Sequence, residues 1–247
     1  MLFEDKDSTS VVSRPQDCFS NLPHTAQTPI LDALPIKDVI NLQQVSSTCK
    51  EYLRGYRRVT FDDKQLYGQF FDKQEHIISF RKKQAECRAL VSGSALALML
   101  GRSPHKPHDL DIFTPMIYVD NMEAFIGTTG YKRADNEECT SQQATERTRN
   151  AETLSDDTLE ELDAEDNTED VAEYNQHAVE TVLTFQHDNG QRLQIIGTKV
   201  EPIDAILGFY STLVMNVATA TKVISLYPYT SFVEQKAVYL KNGRPRP

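Results

Sequence analysis

Two carboxylates one residue apart, Asp109 and Asp111, carry the clearest chemistry in this chain. They follow a Gly93-Ser94 pair within the segment Ala89 to Phe113, ALVSGSALALMLGRSPHKPHDLDIF. Paired carboxylates suit Mg²⁺, which takes one or two acidic side chains and fills the rest of its shell with water and ligand phosphate. A Gly-Ser step that opens a helix leaves backbone N–H groups without acceptors at the positive end of the helix dipole, where phosphate oxygens are favoured. Metal and phosphate held side by side are what phosphoryl and nucleotidyl transfer require. The same residues admit a plainer reading: Gly-Ser is a frequent turn, and an acidic pair after His105, Lys106, Pro107 and His108 can cap a surface loop.

Positioning this set takes a short apolar strand (Ala89, Leu90, Val91), the Gly93-Ser94 turn, an apolar helix (Ala95 to Leu100), a polar loop and a second strand carrying Asp109-Leu110-Asp111. Strand side chains alternate, so Asp109 and Asp111 share one face, with Leu110 and Ile112 on the other. Gly-Ser at the turn followed by Asp-x-Asp on the next strand resembles the nucleotidyltransferase fold, the DNA polymerase beta-like superfamily, over about 25 contiguous residues. The resemblance implies an α+β domain with a mixed sheet flanked by helices. It also implies Asp109 and Asp111 as the catalytic and Mg²⁺-holding residues, and Gly93 and Ser94 as phosphate-binding residues.

Composition bounds the alternatives. A chain of 247 residues has room for one or two domains with a substantial core, and a hydrophobic content of 39% leads us to expect that part of it stays unfolded. A membrane span needs roughly 18 apolar residues; the longest apolar run, Ala95 to Leu100, has six. The opening MLFEDKDSTSVVSRPQ is charged and has no apolar centre, unlike a signal peptide. The expectation is an intracellular protein, cytoplasmic or nuclear, with no membrane contact. Cys18, Cys49, Cys87 and Cys139 are scattered without metal-ligand spacing, which suits free thiols in a reducing compartment.

Read in order, residues 1–20 are expected to be a disordered lead. Residues 21–57 carry short helical patterns, with Leu34-Pro35, then Ile36, Val39, Ile40, Leu42 and Val45 at near-helical spacing, then a Ser46-Ser47-Thr48 break. Leu22-Pro23, Ile30-Leu31, Leu34-Pro35, Asp38-Val39, Leu42 and Val45-Ser46-x-x-Cys49-Lys50 together resemble an F-box, with Thr25 to Pro29 interrupting its first helix. The resemblance implies docking on a Skp-type adaptor of a cullin ubiquitin ligase through an exposed apolar face, with Leu34, Pro35, Val39, Leu42 and Val45 as adaptor-binding residues. The other reading of these helices is an ordinary cap on the following domain. An F-box-like start before a Gly-Ser…Asp-x-Asp domain also resembles a group of fungal proteins.

Residues 58–243 are expected to form the nucleotidyltransferase-like domain. Gly55 to Cys87 reads as a connecting region with an amphipathic helix or two, ending in the basic run Arg81-Lys82-Lys83, which suits a solvated helix C-terminus. Tyr118 to Ile126 reads as a helix and Tyr131-Lys132 as the start of a strand. From Ala134 to Glu180 sixteen Asp and Glu stand against two Arg, a local charge of −14, so the rest of a chain of formal charge −10 carries +4. With few large apolar residues, this stretch (134–178) is expected to be a disordered acidic insertion that loops out between strands, solvating the chain or masking a basic nucleotide or RNA cleft.

Val179 to Gln186 and Arg192 to Gly197 alternate around His187-Asp188-Asn189-Gly190, a hairpin signal. The superfamily resemblance implies a third carboxylate on this second strand, serving as metal ligand and base, and Gln194 stands in its place. Glutamine binds Mg²⁺ poorly and cannot take a proton. Farther on, a Pro202 helix, a Phe-led strand, Ser225 to Pro228 and a helix starting at Thr230 resemble the same fungal group. Phe209-Tyr210-Ser211 stands where those relatives have Phe-Asp-x-Ser, a second lost acid.

The combined expectation is a degenerate, non-catalytic domain that holds a nucleotide or phosphorylated ligand with Mg²⁺, displayed by an F-box-like segment and recruiting a substrate for ubiquitylation. The competing expectations are an active Mg²⁺-dependent nucleotidyltransferase acting on a protein, RNA or small-molecule hydroxyl, and a plain interaction module. Nucleic acid is not the expected partner.

Overall fold

The computed structural model describes residue 19 and residues 21–134 and 178–239. The expected lead (1–20, apart from residue 19) and the expected acidic insertion (134–178, apart from its two end residues) lie outside the described residues. The chain divides into two units, Met1–Arg58 and Val59–Pro247.

In the first unit, α1 (His24–Ala33) and α2 (Ile36–Leu42) precede α3 (Ser47–Thr60), whose last turn contains the division. Pro35 stands at the N-cap of α2, where its missing N–H is no loss. Ser46 caps α3 by accepting the Cys49 N–H at 3.0 Å. The core is Leu31, Val39, Leu53 and Tyr56, with Phe19, Leu34, Leu42 and Tyr52 packed against it. The Tyr56 hydroxyl donates to Asp32 Oδ1 at 2.7 Å, joining α3 to α1. Pro29 lies inside α1 instead of interrupting it. It deprives only the Thr25 carbonyl of an N–H, and Thr25 is exposed, where water can replace that bond.

The second unit is an α+β domain with one mixed seven-stranded sheet; the described residues of the whole chain form eight α-helices. The strands are β1 (Leu90–Ser92), β2 (Asp109–Pro115), β3 (Lys132–Arg133), β4 (Val179–Gln186), β5 (Arg192–Thr198), β6 (Asn216–Ala218) and β7 (Val223–Ser225). Their order across the sheet is β3-β4-β5-β2-β1-β6-β7, and β2 with β5 is the parallel pair.

Period-2 alternation sorts the strands into two faces. Val91, Leu110, Ile112, Leu193, Ile195 and Leu183 form one face. Against it pack α4 (Asp63–Tyr67), α5 (Gln74–Glu86), α6 (Ser94–Leu100) and α7 (Val119–Gly127), through Leu66, Ile77, Phe80, Leu96, Met122 and Ile126. The opposite face is apolar along half its length, where Phe113, Ile196 and Val217 meet Ala205 and Ile206 of α8 (Pro202–Leu207). Pro202 opens α8, and Arg88 holds both carboxylate oxygens of Glu201 at 3.0 Å at that helix's start.

Three expectations change. Residues 59–87 are part of the main core, because Leu66, Tyr67, Phe70, Phe71, Ile77 and Phe80 all belong to it. Arg81 is half-buried and held rather than freely solvated: it pairs with Asp63 and its Nε donates to the Ala220 carbonyl at 2.7 Å. The Phe-led strand is absent among the described residues. Phe209 instead packs edge-on against Phe113 at a centroid distance of 5.6 Å, and the strands of this region are β6 and β7. The turn from Tyr229 to Val233 is a π-helix. No helix among the described residues is long and apolar enough to cross a membrane.

Candidate functional site

The second face of the sheet is polar where α8 does not reach. The β1–β2 register sets Ser92 beside Asp111, and the parallel β2–β5 register sets Asp111 beside Gln194 and Asp109 beside Arg192. β4 extends both rows, with Thr184 beside Gln194 and Gln186 beside Arg192. Two rows of polar side chains therefore lie on one face, Ser92-Asp111-Gln194-Thr184 across four adjacent strands and Asp109-Arg192-Gln186 across three.

The turn between β1 and α6 closes on this face. Gly93 adopts φ 87°, ψ −158°, which side-chain-bearing residues rarely adopt. A Cβ there would run into Asp111 Oδ2, so the absence of a side chain lets that carboxylate lie against the turn. One residue on, the Ser94 hydroxyl donates to Asp109 Oδ1 at 3.4 Å. The turn thus spans both carboxylates, and the structure brings together Gly93, Ser94, Asp109 and Asp111. Asp109 and Asp111 are half-buried, whereas Gln194 is 1% exposed.

The Ser92 hydroxyl donates to the Asn216 carbonyl at 2.6 Å, tying β1 to β6 directly behind the turn. Thr114, at the far end of β2, donates to the Cys87 carbonyl at 2.8 Å. Buried hydroxyls therefore anchor β1 behind the turn and β2 at the end away from Asp109.

The donor set fits a hard divalent cation through two carboxylates only. No group of three or more His, Cys, Asp and Glu that could hold a metal exists among the described residues, and the side chain beside Asp111 from β5 is an amide. Mg²⁺ accepts such a set when water and ligand phosphate supply its remaining oxygens. Asp188 sits in the β4–β5 turn and pairs with Lys132 at 2.8 Å, which holds its carboxyl below the usual range.

The five residues expected to bind an adaptor are divided by the fold. Val39 is 8% exposed and belongs to the core of its own unit, while Leu34 and Leu42 are half-buried against that core. Pro35 and Val45 are exposed, and so are Leu22, Ile30 and Ile40. With only three helices, the unit needs most of its apolar stripe for itself.

Sequence reasoning passed over Arg192 and Thr184 as members of the polar rows. Their alternation with Leu193 and Leu183 was a usable signal, but the rows exist only through the β2–β5 and β4–β5 registers. No family model, curated protein or solved structure matches this chain.

Proposed function

We propose that the second unit is a degenerate nucleotidyltransferase-like domain that binds a nucleotide or phosphorylated ligand without transferring it. We further propose that the first unit is an F-box-like segment engaging a Skp-type adaptor, so that the chain recruits a substrate to a ubiquitin ligase. The observation that carries the first proposal is the parallel β2–β5 register, with Gln194 beside Asp111 and the Gly93-Ser94 turn against both aspartates. An amide cannot accept the proton of an attacking hydroxyl, so among the described residues the arrangement keeps groups that bind and offers no third carboxylate from β5 to act as base. In this reading Asp109 and Asp111 hold one Mg²⁺, which would neutralise phosphate charge, and Gly93 and Ser94 meet phosphate oxygens.

Calorimetric titration with ATP, GTP, CTP and UTP tests the reading, with and without Mg²⁺, on wild type and on Asp109→Ala/Asp111→Ala. Binding that needs both the metal and the aspartates, without transfer of labelled nucleotide to any acceptor, is the expected result. Transfer by the wild type would favour an active Mg²⁺-dependent nucleotidyltransferase. No binding in any combination would leave the domain as an interaction module. The second proposal is tested by co-purifying the full chain with a Skp-type adaptor, and failure to co-purify removes it.

A further inference from the structure

Arg192 has no part in the reading above, yet it stands in its centre. It is the first residue of β5, beside Asp109 in the parallel register and on the same face as Gln194 two residues later. Its side chain is half-buried, and its Nε is enclosed with no hydrogen-bond partner. No ion pair forms at Arg192 among the described residues, even with the neighbouring Asp109. Other arginines of this unit are paired: Arg81 with Asp63, Arg88 with Glu201 and Arg133 with Glu123. A guanidinium presents five donors in a planar fork and keeps its charge throughout the physiological range. Nε is sealed from solvent, but Nη1 and Nη2 are not among the enclosed unpartnered atoms, and a phosphate oxygen is a well-matched partner for that end of the fork.

The charge of the site points the same way. Two carboxylates and one divalent cation sum to zero, which gives a polyphosphate no net attraction. Arg192 is the charged side chain in the row with Asp109, and it raises the sum to +1. We infer that Arg192 is a phosphate-binding residue of this site, supplying positive charge beside a single divalent cation at Asp109 and Asp111. The ligand class is a nucleoside polyphosphate or another polyphosphate. The inference rests on the reading that the Asp pair and the Gly93-Ser94 turn form a ligand site.

The test titrates the full-length chain with ATP and with inorganic tripolyphosphate in Mg²⁺, using wild type, Arg192→Met, Arg192→Lys and Asp109→Asn/Asp111→Asn. Free Mn²⁺ binding is followed in parallel by electron paramagnetic resonance. Arg192→Met should weaken both probes by about tenfold or more, the value of a charge-assisted hydrogen bond. Arg192→Lys should recover part of that loss, because ammonium keeps the charge and lacks the fork. Mn²⁺ affinity should hold or rise in both arginine variants. ATP binding unchanged in Arg192→Met but lost in the aspartate variant would overturn the role of Arg192 and leave the site standing. Loss of Mn²⁺ binding in both arginine variants would also overturn it, making Arg192 part of the scaffold. No binding of either probe by the wild type would end both the inference and the reading beneath it.

Discussion

Gly93 is where backbone conformation and carboxylate placement depend on one atom. Its φ of 87° and the contact of a built Cβ with Asp111 Oδ2 predict that Gly93→Ala both strains the turn and displaces the carboxylate. The expected outcome is a loss of about 1–3 kcal/mol in chemical denaturation, together with loss of nucleotide binding by calorimetry. Gln194→Glu makes the complementary change. A carboxylate buried beside Asp111 should lower stability at pH 7 by a few kcal/mol (~2) without metal, and Mg²⁺ should then raise the melting temperature more than it does for wild type. An equal Mg²⁺ response in the two proteins would show that position 194 is not at the metal. Asp109 and Asp111 were legible in sequence because both lie on one strand, and alternation alone puts them together. Arg192 was not, since its place beside Asp109 depends on a pairing between strands distant in sequence.

Elements were legible in proportion to their regularity. The turn around Asp188-Asn189-Gly190 and the strands on either side of it were readable because the turn chemistry demands a residue such as Gly190, at φ 88°. The β6–β7 pair was missed because each strand has only three residues, too few to show a period, although Val217, Val223 and Ile224 are β-branched. The helices of residues 59–87 read as a connection in sequence because amphipathic spacing gives an apolar face without naming what it covers. At Gly197, side chains from β4 and from the segment following β2 close over the backbone of β5. A Cβ there would lie 2.7 Å from Thr181 Cγ2 and 2.9 Å from both Met116 Sδ and Val119 Cγ2. Gly197→Val should therefore destabilise the unit by about 1–3 kcal/mol or more in urea denaturation, the usual result of overpacking. Stability within about 0.5 kcal/mol of wild type would mean that this approach is looser than described.

Across the molecule, burial sets the response to alkali. Tyr67 and Tyr131 are almost fully enclosed, and burial pushes both hydroxyls well above the ordinary tyrosine value of 10.0. Burial likewise raises the Cys87 thiol. Folded values above unfolded ones mean that these groups favour the folded state fully below their unfolded values. That preference is withdrawn as pH climbs toward the folded ones. The melting temperature should therefore begin to fall as pH rises above about 9, the ordinary thiol value, and fall further above about 10, and Tyr67→Phe should flatten part of the later decline. A Tyr67→Phe profile parallel to wild type would exclude the Tyr67 hydroxyl as a source. One further property follows from the parallel pairing of β2 with β5. Antiparallel neighbours can form through short turns, whereas Asp109 and Arg192 meet only after roughly eighty residues of chain have been closed into a loop, an entropic debt owed before any contact rewards it. The grouping of the two aspartates with Arg192 thus waits on a long loop closure as the chain folds. Ligand added during refolding should raise the final yield of folded protein while leaving the rate of the main folding phase unchanged.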